Sequence, residues 1–171
     1  YIPSYLRENL GLNPTTVLLT NMLALVVLVA LLPVFGWLAD RYGRKKIMAF
    51  STVTFAIVSI PAFMLLKIEG LVFIIIAQIM IAIAQSASNA VTAVAITELF
   101  PTNVRYTCGA ISYNLAYMTL GGTAPFIATY LVNATGFDLS PGFLLAIVGV
   151  ISTLFIIGLP ETYQRSLQKQ D

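Results

Sequence analysis

The chain has 171 residues, of which 58% are hydrophobic and 9% charged, with a net charge of +2 and no histidine. A soluble domain carries about a quarter charged residues, so this composition excludes water as the main solvent of the chain. The missing imidazole excludes histidine-based catalysis and metal ligation, and the single cysteine, Cys108, excludes an internal disulfide framework or a multi-cysteine metal cluster.

In chain order, Tyr1 to Leu12 reads as a short amphipathic stretch. Charge-free runs then cover 9–39, 47–66, 70–97, 106–137 and 139–160. Each reaches or exceeds the roughly 20 residues that cross a hydrocarbon core about 30 Å thick as helix. They predict five spanning helices near 15–39, 46–66, 71–97, 106–132 and 142–160. In lipid the backbone must satisfy its own hydrogen bonds, and these runs lack the period-two alternation of barrel strands. The expected fold class is therefore an all-α membrane protein with five transmembrane helices.

Between the first two spans, Gly36-Trp37-Leu38-Ala39-Asp40-Arg41-Tyr42-Gly43-Arg44-Lys45-Lys46 packs two glycines, one acid and four bases into a tight connection. Gly36 and Gly43 remove side chains where the backbone turns sharply or another helix approaches. Asp40 and Arg44 stand four apart, a spacing for an ion pair if helical geometry persists, and Asp40 lies near the positive start of the following helix. Asp40 reads as a latch, with Glu98 and Arg105 as the natural partners for this charged cluster. Lys45 and Lys46 are equally compatible with setting topology alone.

The second and fifth spans carry little polarity beyond Ser and Thr, whose hydroxyls bond back to their own helix, and are expected to face lipid. The third span differs. Gln78, Gln85, Asn89 and Thr92 follow steps of seven, four and three, which aligns them on one helical stripe. Uncompensated amides are costly in hydrocarbon, so such a stripe faces a bundle interior or a wet cavity. Gln78, Gln85 and Asn89 are candidate substrate contacts; gluing of neighbouring helices is the competing role. The fourth span adds Tyr106, Tyr113, Asn114 and Tyr117, of which Tyr113, Asn114 and Tyr117 join the candidates. Rings one turn apart can flank a quaternary ammonium by cation–π attraction worth about 0.5–2 kcal/mol. Gly121-Gly122 followed by Pro125 should loosen or bend this span. Asn21 in the first span is a lone amide with either role open.

The bases sit asymmetrically. Arg41, Arg44, Lys45, Lys46, Arg105, Arg165 and Lys169 fall on one side of the predicted spans, Arg7 and Lys67 on the other. The positive-inside rule places the first group in the cytoplasm, which puts the N-terminus outside and the C-terminus inside. The same bases flank spans and lack an interleaved stacking surface, so no nucleic-acid partner is expected. Tyr1 in place of a methionine, with no basic n-region, and an odd number of helices lead us to expect a piece of a longer protein, with a helix before Tyr1 missing.

These residues carry a resemblance. Gly36-x-Leu38-Ala39-Asp40-Arg41-Tyr42-Gly43-Arg44-Lys45-Lys46 resembles the cytoplasmic signature of the major facilitator superfamily, which joins the second and third helices of a six-helix half. Glu98-Leu99-Phe100-Pro101-Thr102-Asn103-Val104-Arg105-Tyr106 resembles its second signature, and Pro160-Glu161-Thr162 is similar to the end of the twelfth helix in sugar-porter-like members. Tyr1 to Leu6, Arg105-Tyr106, and the run from Ser112 to Pro125 resemble the metabolite:proton symporters, most of all proline/betaine transporters.

The resemblance implies that residues 1–171 are a partial C-terminal half, helices eight to twelve, whose first helix is missing. It implies a lipid bilayer, the N-terminal half of the same protein and a small-molecule substrate as partners, with proton coupling and no cofactor or metal. It implies secondary active transport of a small polar or zwitterionic metabolite by alternating access, in a bacterial inner membrane, and no enzymatic activity. Gly36, Asp40, Arg41, Gly43, Arg44, Glu98 and Arg105 become gating residues that lock and release the cytoplasmic helix ends. No acid or base lies near mid-span, so a coupling group is expected mainly in the missing part, and a dicarboxylate finds no cation at membrane depth here. A non-transporting sensor or assembly subunit on the same fold is the alternative.

Overall fold

The computed structural model describes residues 2–8, 10–68, 70–101 and 103–159. Tyr1, Glu69, Thr102, Arg165, Lys169 and the Pro160-Glu161-Thr162 motif lie outside the described residues. The helices are α1 (Ile2–Glu8), α2 (Pro14–Tyr42), α3 (Arg44–Leu66), α4 (Leu71–Leu99), α5 (Arg105–Ala116), a π turn at Tyr117–Gly121, α6 (Ala124–Thr135) and α7 (Ser140–Gly158). No strand occurs among the described residues. Five units, with α5 to α6 taken as one, are long and apolar enough to cross a membrane.

Local chemistry sets the ends. Asn13 caps α2 by accepting from the Thr15 amide at 2.9 Å, and Pro14 takes the first helical position, where its missing donor costs nothing. Gly43 stops α2 with φ of 104°, a conformation that side chains resist, and α3 restarts at the next residue. Pro141 opens α7 in the same way as Pro14 opens α2.

α2, α4, α3 and α7 lie side by side in that order, each packing on the next. α1 docks across one end, burying Tyr5 and Leu6 against Val17, Phe63 and Leu66; the Tyr5 ring stands edge-on to Phe63 with centroids 5.6 Å apart. A second cluster, Phe35, Ala39, Ile47, Ala87, Val91 and Ala95, closes the other end. The two ends also separate the bases as the charge pattern requires: Arg44 and Lys45 meet partners at one end, Lys67 at the other.

The structure changes two expectations. α3 and α7 are outward-facing on one side only, where Phe50, Val53, Ile57 and Met64 on α3 and Ile147, Leu154 and Phe155 on α7 are exposed. Their other sides form a close seam, because Gly149 lets the backbones touch: a Cβ there would stand 2.9 Å from the Thr52 carbonyl. The fourth span is the one that is barely covered. It is interrupted where Gly121-Gly122 predicted, by a π turn closed by the Gly122 amide on the Tyr117 carbonyl at 2.9 Å. Pro125 bends nothing itself, since it falls in the first turn of α6.

Candidate functional site

The middle of α4 is polar on one side, and α2 packs against part of that side. At Gln78 the two helices are joined: Gln78 is 3% exposed and its Nε2 donates to the Thr20 hydroxyl at 3.3 Å, while Oε1 has no partner. Thr20 passes its own proton to the Val17 carbonyl at 3.1 Å. Farther along, α2 contributes Phe35 and Ala39 to the cluster that holds Ala87, Val91 and Ala95 of α4. The rest of the amide stripe is left open.

That open stretch and the tyrosines of the fourth span enclose a cleft of 360 Å³ lined by Gln85, Ser88, Asn89, Thr92, Ala93, Tyr113 and Tyr117. Small-molecule pockets start at about 300 Å³. Gln85 Nε2 donates to Asn89 Oδ1 at 3.2 Å, one turn apart, and the Thr92 hydroxyl donates to the Ser88 carbonyl at 2.7 Å. The Tyr113 and Tyr117 rings stand 4.4 Å apart with planes inclined by 30°. No ionised side chain lines this cleft.

The structure thus brings together Gln85, Asn89, Tyr113 and Tyr117 of the six candidates. Gln78 lies in the α2–α4 contact. Asn114 points its amide back to its own helix, donating to the Ala110 carbonyl at 2.8 Å. Asn21 is half-buried and does not line the cleft. Ser88 and Ala93 were missed by the sequence reading. Ser88 follows Gln85 by three residues, so the same periodicity could have found it.

The second group of candidates gathers at the C-terminal end of α4, beyond the cleft. Arg44 is the hub: its guanidinium meets Asp40 at 2.9 Å and Glu98 at 3.2 Å and donates to the Ala39 carbonyl at 3.2 Å. Arg44 and Glu98 keep only 16% and 17% of their side chains exposed, whereas Asp40 keeps 71%. The ion-pair network therefore centres on Arg44 rather than on Asp40. Gly43 supplies the turn that folds Arg44 back, and its amide closes on the Ala39 carbonyl at 3.0 Å. Gly36 differs from its expected part: it sits inside α2 with open space where a Cβ would go. Arg41 stacks on Trp37 at 5.3 Å and on Tyr42 at 5.7 Å. Arg105 closes its own loop through the Phe100 carbonyl at 3.2 Å and makes no ion pair with Asp40 or Glu98 here. Lys45 has a contact that no local pattern reveals, donating to the Ile157 carbonyl at the end of α7 at 2.7 Å.

Comparison with known proteins adds the family. The model of the Major Facilitator Superfamily matches residues 1–170. The chain is 33% identical over 167 residues to the ectoine/proline transporter ProP of Corynebacterium glutamicum, covering 98% of this chain and 33% of that protein. It is 35% identical over 158 residues to the "Putative proline/betaine transporter" of Staphylococcus aureus strain COL, covering 91% of this chain and 34% of that one. It is 29% identical over 168 residues to the glycine betaine/proline/ectoine/pipecolic acid transporter OusA of Dickeya dadantii, covering 98% and 33%. The chain thus spans about a third of the length of the curated relatives it matches. No solved structure matches it significantly. With both signatures, the helical bundle and the family match in agreement, the chain belongs to the major facilitator superfamily.

Proposed function

We propose that this chain supplies helices eight to twelve, most of the C-terminal half, of a secondary transporter in a bacterial cytoplasmic membrane, with its N-terminus outside and its C-terminus in the cytoplasm. The solute is a small zwitterion of the proline or betaine kind, the driving ion is the proton, and the two halves of the protein rock around a central site. The observation that carries this reading is the cleft whose walls offer amides, hydroxyls and aromatic faces without an ionised group. A net-neutral solute is satisfied by such walls, whereas a dicarboxylate would need a cation. The relatives named for proline, betaine and ectoine support the same class.

In this reading Asn89 and Ser88 donate to the carboxylate, and Tyr113 and Tyr117 flank the ammonium, an attraction worth about 0.5–2 kcal/mol depending on desolvation. Gln78 holds α2 against α4 and keeps the stripe at its height. The proton-coupling group belongs to the rest of the protein, since Asp40 and Glu98 lie at helix ends. Arg44, held by two carboxylates and a carbonyl, locks the ends of α2, α3 and α4 in one access state and releases them in the other.

The test is uptake of labelled proline and glycine betaine by the full-length protein in vesicles with an imposed proton gradient. Accumulation that a protonophore abolishes supports the proposal; saturable binding without flux would instead identify a sensor. For the latch, Arg44→Gln loses more uptake per inserted molecule than Asp40→Asn, because it severs both acids, while a single pair whose acid is mostly exposed, as Asp40 is, is worth only about 0–1 kcal/mol. Full uptake by both variants would remove the latch.

A further inference from the structure

The two amides of the cleft are not equivalent. The bond from Gln85 Nε2 to Asn89 Oδ1 at 3.2 Å occupies the donor end of Gln85 and the acceptor end of Asn89. It leaves Asn89 with both amide N–H donors and Gln85 with its carbonyl oxygen, and neither group has another partner among the described residues. Thr92 is committed as well, since its proton is spent on the Ser88 carbonyl at 2.7 Å. The α4 wall therefore has a donor position at Asn89 and an acceptor position one turn away at Gln85, and both lie opposite the Tyr113–Tyr117 ring pair.

From this polarity we infer that Gln85 is the specificity-determining residue that tells an N–H-bearing zwitterion from a fully alkylated one. A carboxylate on the Asn89 amide directs the cationic nitrogen toward the rings and toward Gln85 Oε1. A secondary ammonium gives Gln85 a charge-assisted hydrogen bond. A quaternary ammonium has no proton to give and is held by the ring faces alone, leaving the Gln85 carbonyl to water. The inference rests on the zwitterion reading of this cleft and adds the group that sorts substrates within that class.

The test uses one carbon skeleton with two, one or no N–H groups: proline, N-methylproline and N,N-dimethylproline. Full-length protein and its Gln85→Met variant, which keeps length and apolar volume but removes the acceptor, are compared for uptake of each. The expected result is a roughly tenfold or larger rise in apparent KM for proline, the size of one charge-assisted hydrogen bond, with N,N-dimethylproline changed less than about twofold. Near-native uptake of the dimethyl compound also certifies that the variant is folded and inserted. Equal loss for all three compounds would show that Gln85 acts by holding Asn89 in place, and an unchanged series would remove it from the site; either overturns the inference while transport itself stands. Absence of uptake for all three in the unmodified protein would instead defeat the proposed function.

Discussion

The α3–α7 seam and the fourth span are both made of helix long and apolar enough to cross a membrane, and they behave as opposites. Along the seam, Gly149 brings backbones into contact, Thr153 donates to Thr52 at 2.9 Å, and Gly142 lies against the Phe63 side chain, whose Cβ a Cβ at Gly142 would meet at 3.2 Å. In the fourth span, residues 110–123 are all exposed and the ladder is broken by a π turn. The fourth span is the less apolar of the two, but apolarity is not what holds helices together in a bilayer, because lipid is as apolar as a leucine side chain. Helices in a bilayer are held by close approach at small residues and by hydrogen bonds across the contact. The seam has both. The fourth span touches α4 closely at Gly109, where a Cβ would meet Ile96 at 2.9 Å, and meets α7 through α6, while residues 110–123 are left uncovered within this chain.

The strongest way to break this contrast is at Gly149. A leucine there must displace the Thr52 carbonyl and the Ala56 amide, both 2.9 Å from the Cβ position. We expect Gly149→Leu to lower stability by at least the about 1–3 kcal/mol typical of overpacking, read as loss of the cooperative unfolding transition in detergent. Gly36→Ala is the matched control, because it enters open space inside α2 and should be neutral or stabilising by roughly 0.5–1 kcal/mol. Equal losses from the two would mean that the seam is not held by backbone approach.

A smaller effect is expected at Gly122, where a Cβ would meet the Met118 carbonyl at 2.8 Å. Gly122→Ala forces the π turn to shift. Because so little packs on this segment, global stability should change by less than about 1 kcal/mol, while amide exchange over 117–122 changes clearly. A global loss as large as that of Gly149→Leu would show that the fourth span is load-sharing after all.

Much of the architecture was legible in the residues. Spans predicted at 15–39, 46–66, 71–97, 106–132 and 142–160 are found at Pro14–Tyr42, Arg44–Leu66, Leu71–Leu99, Arg105–Thr135 and Ser140–Gly158. Length and hydropathy suffice there because lipid leaves the backbone few alternatives. Gly43 was readable for the same local reason. What stayed hidden depends on which helix lies beside which. One stripe carries Gln78 and Gln85, yet α2 covers the first and leaves the second at a cleft, and only the crossing of two helices decides this. The outward sides of α3 and α7 were predicted, but their seam was not, because Thr52 and Thr153 stand 101 residues apart. Arg44 rather than Asp40 became the hub because the Gly43 turn folds its guanidinium between Asp40 and Glu98.

The ends of the α3–α7 pair supply the finest test. Lys67 pairs with Asp138 at 3.0 Å, and both side chains are about half exposed. Lys45 reaches the Ile157 carbonyl at 2.7 Å, a cation at the negative end of a helix. Both contacts cross between the same neighbours as the seam, so a pair held at its ends and a pair held along its length make different demands on them. An exposed ion pair contributes about 0–1 kcal/mol and weakens as salt shortens the Debye length. Lys67→Gln should therefore lower stability by no more than about 1 kcal/mol at low salt and by less at high salt, read from thermal unfolding at two ionic strengths. If its loss matched that of Gly149→Leu and ignored salt, the clamp would lie at the polar ends, and the small residues between them would be a consequence of the contact instead of its cause.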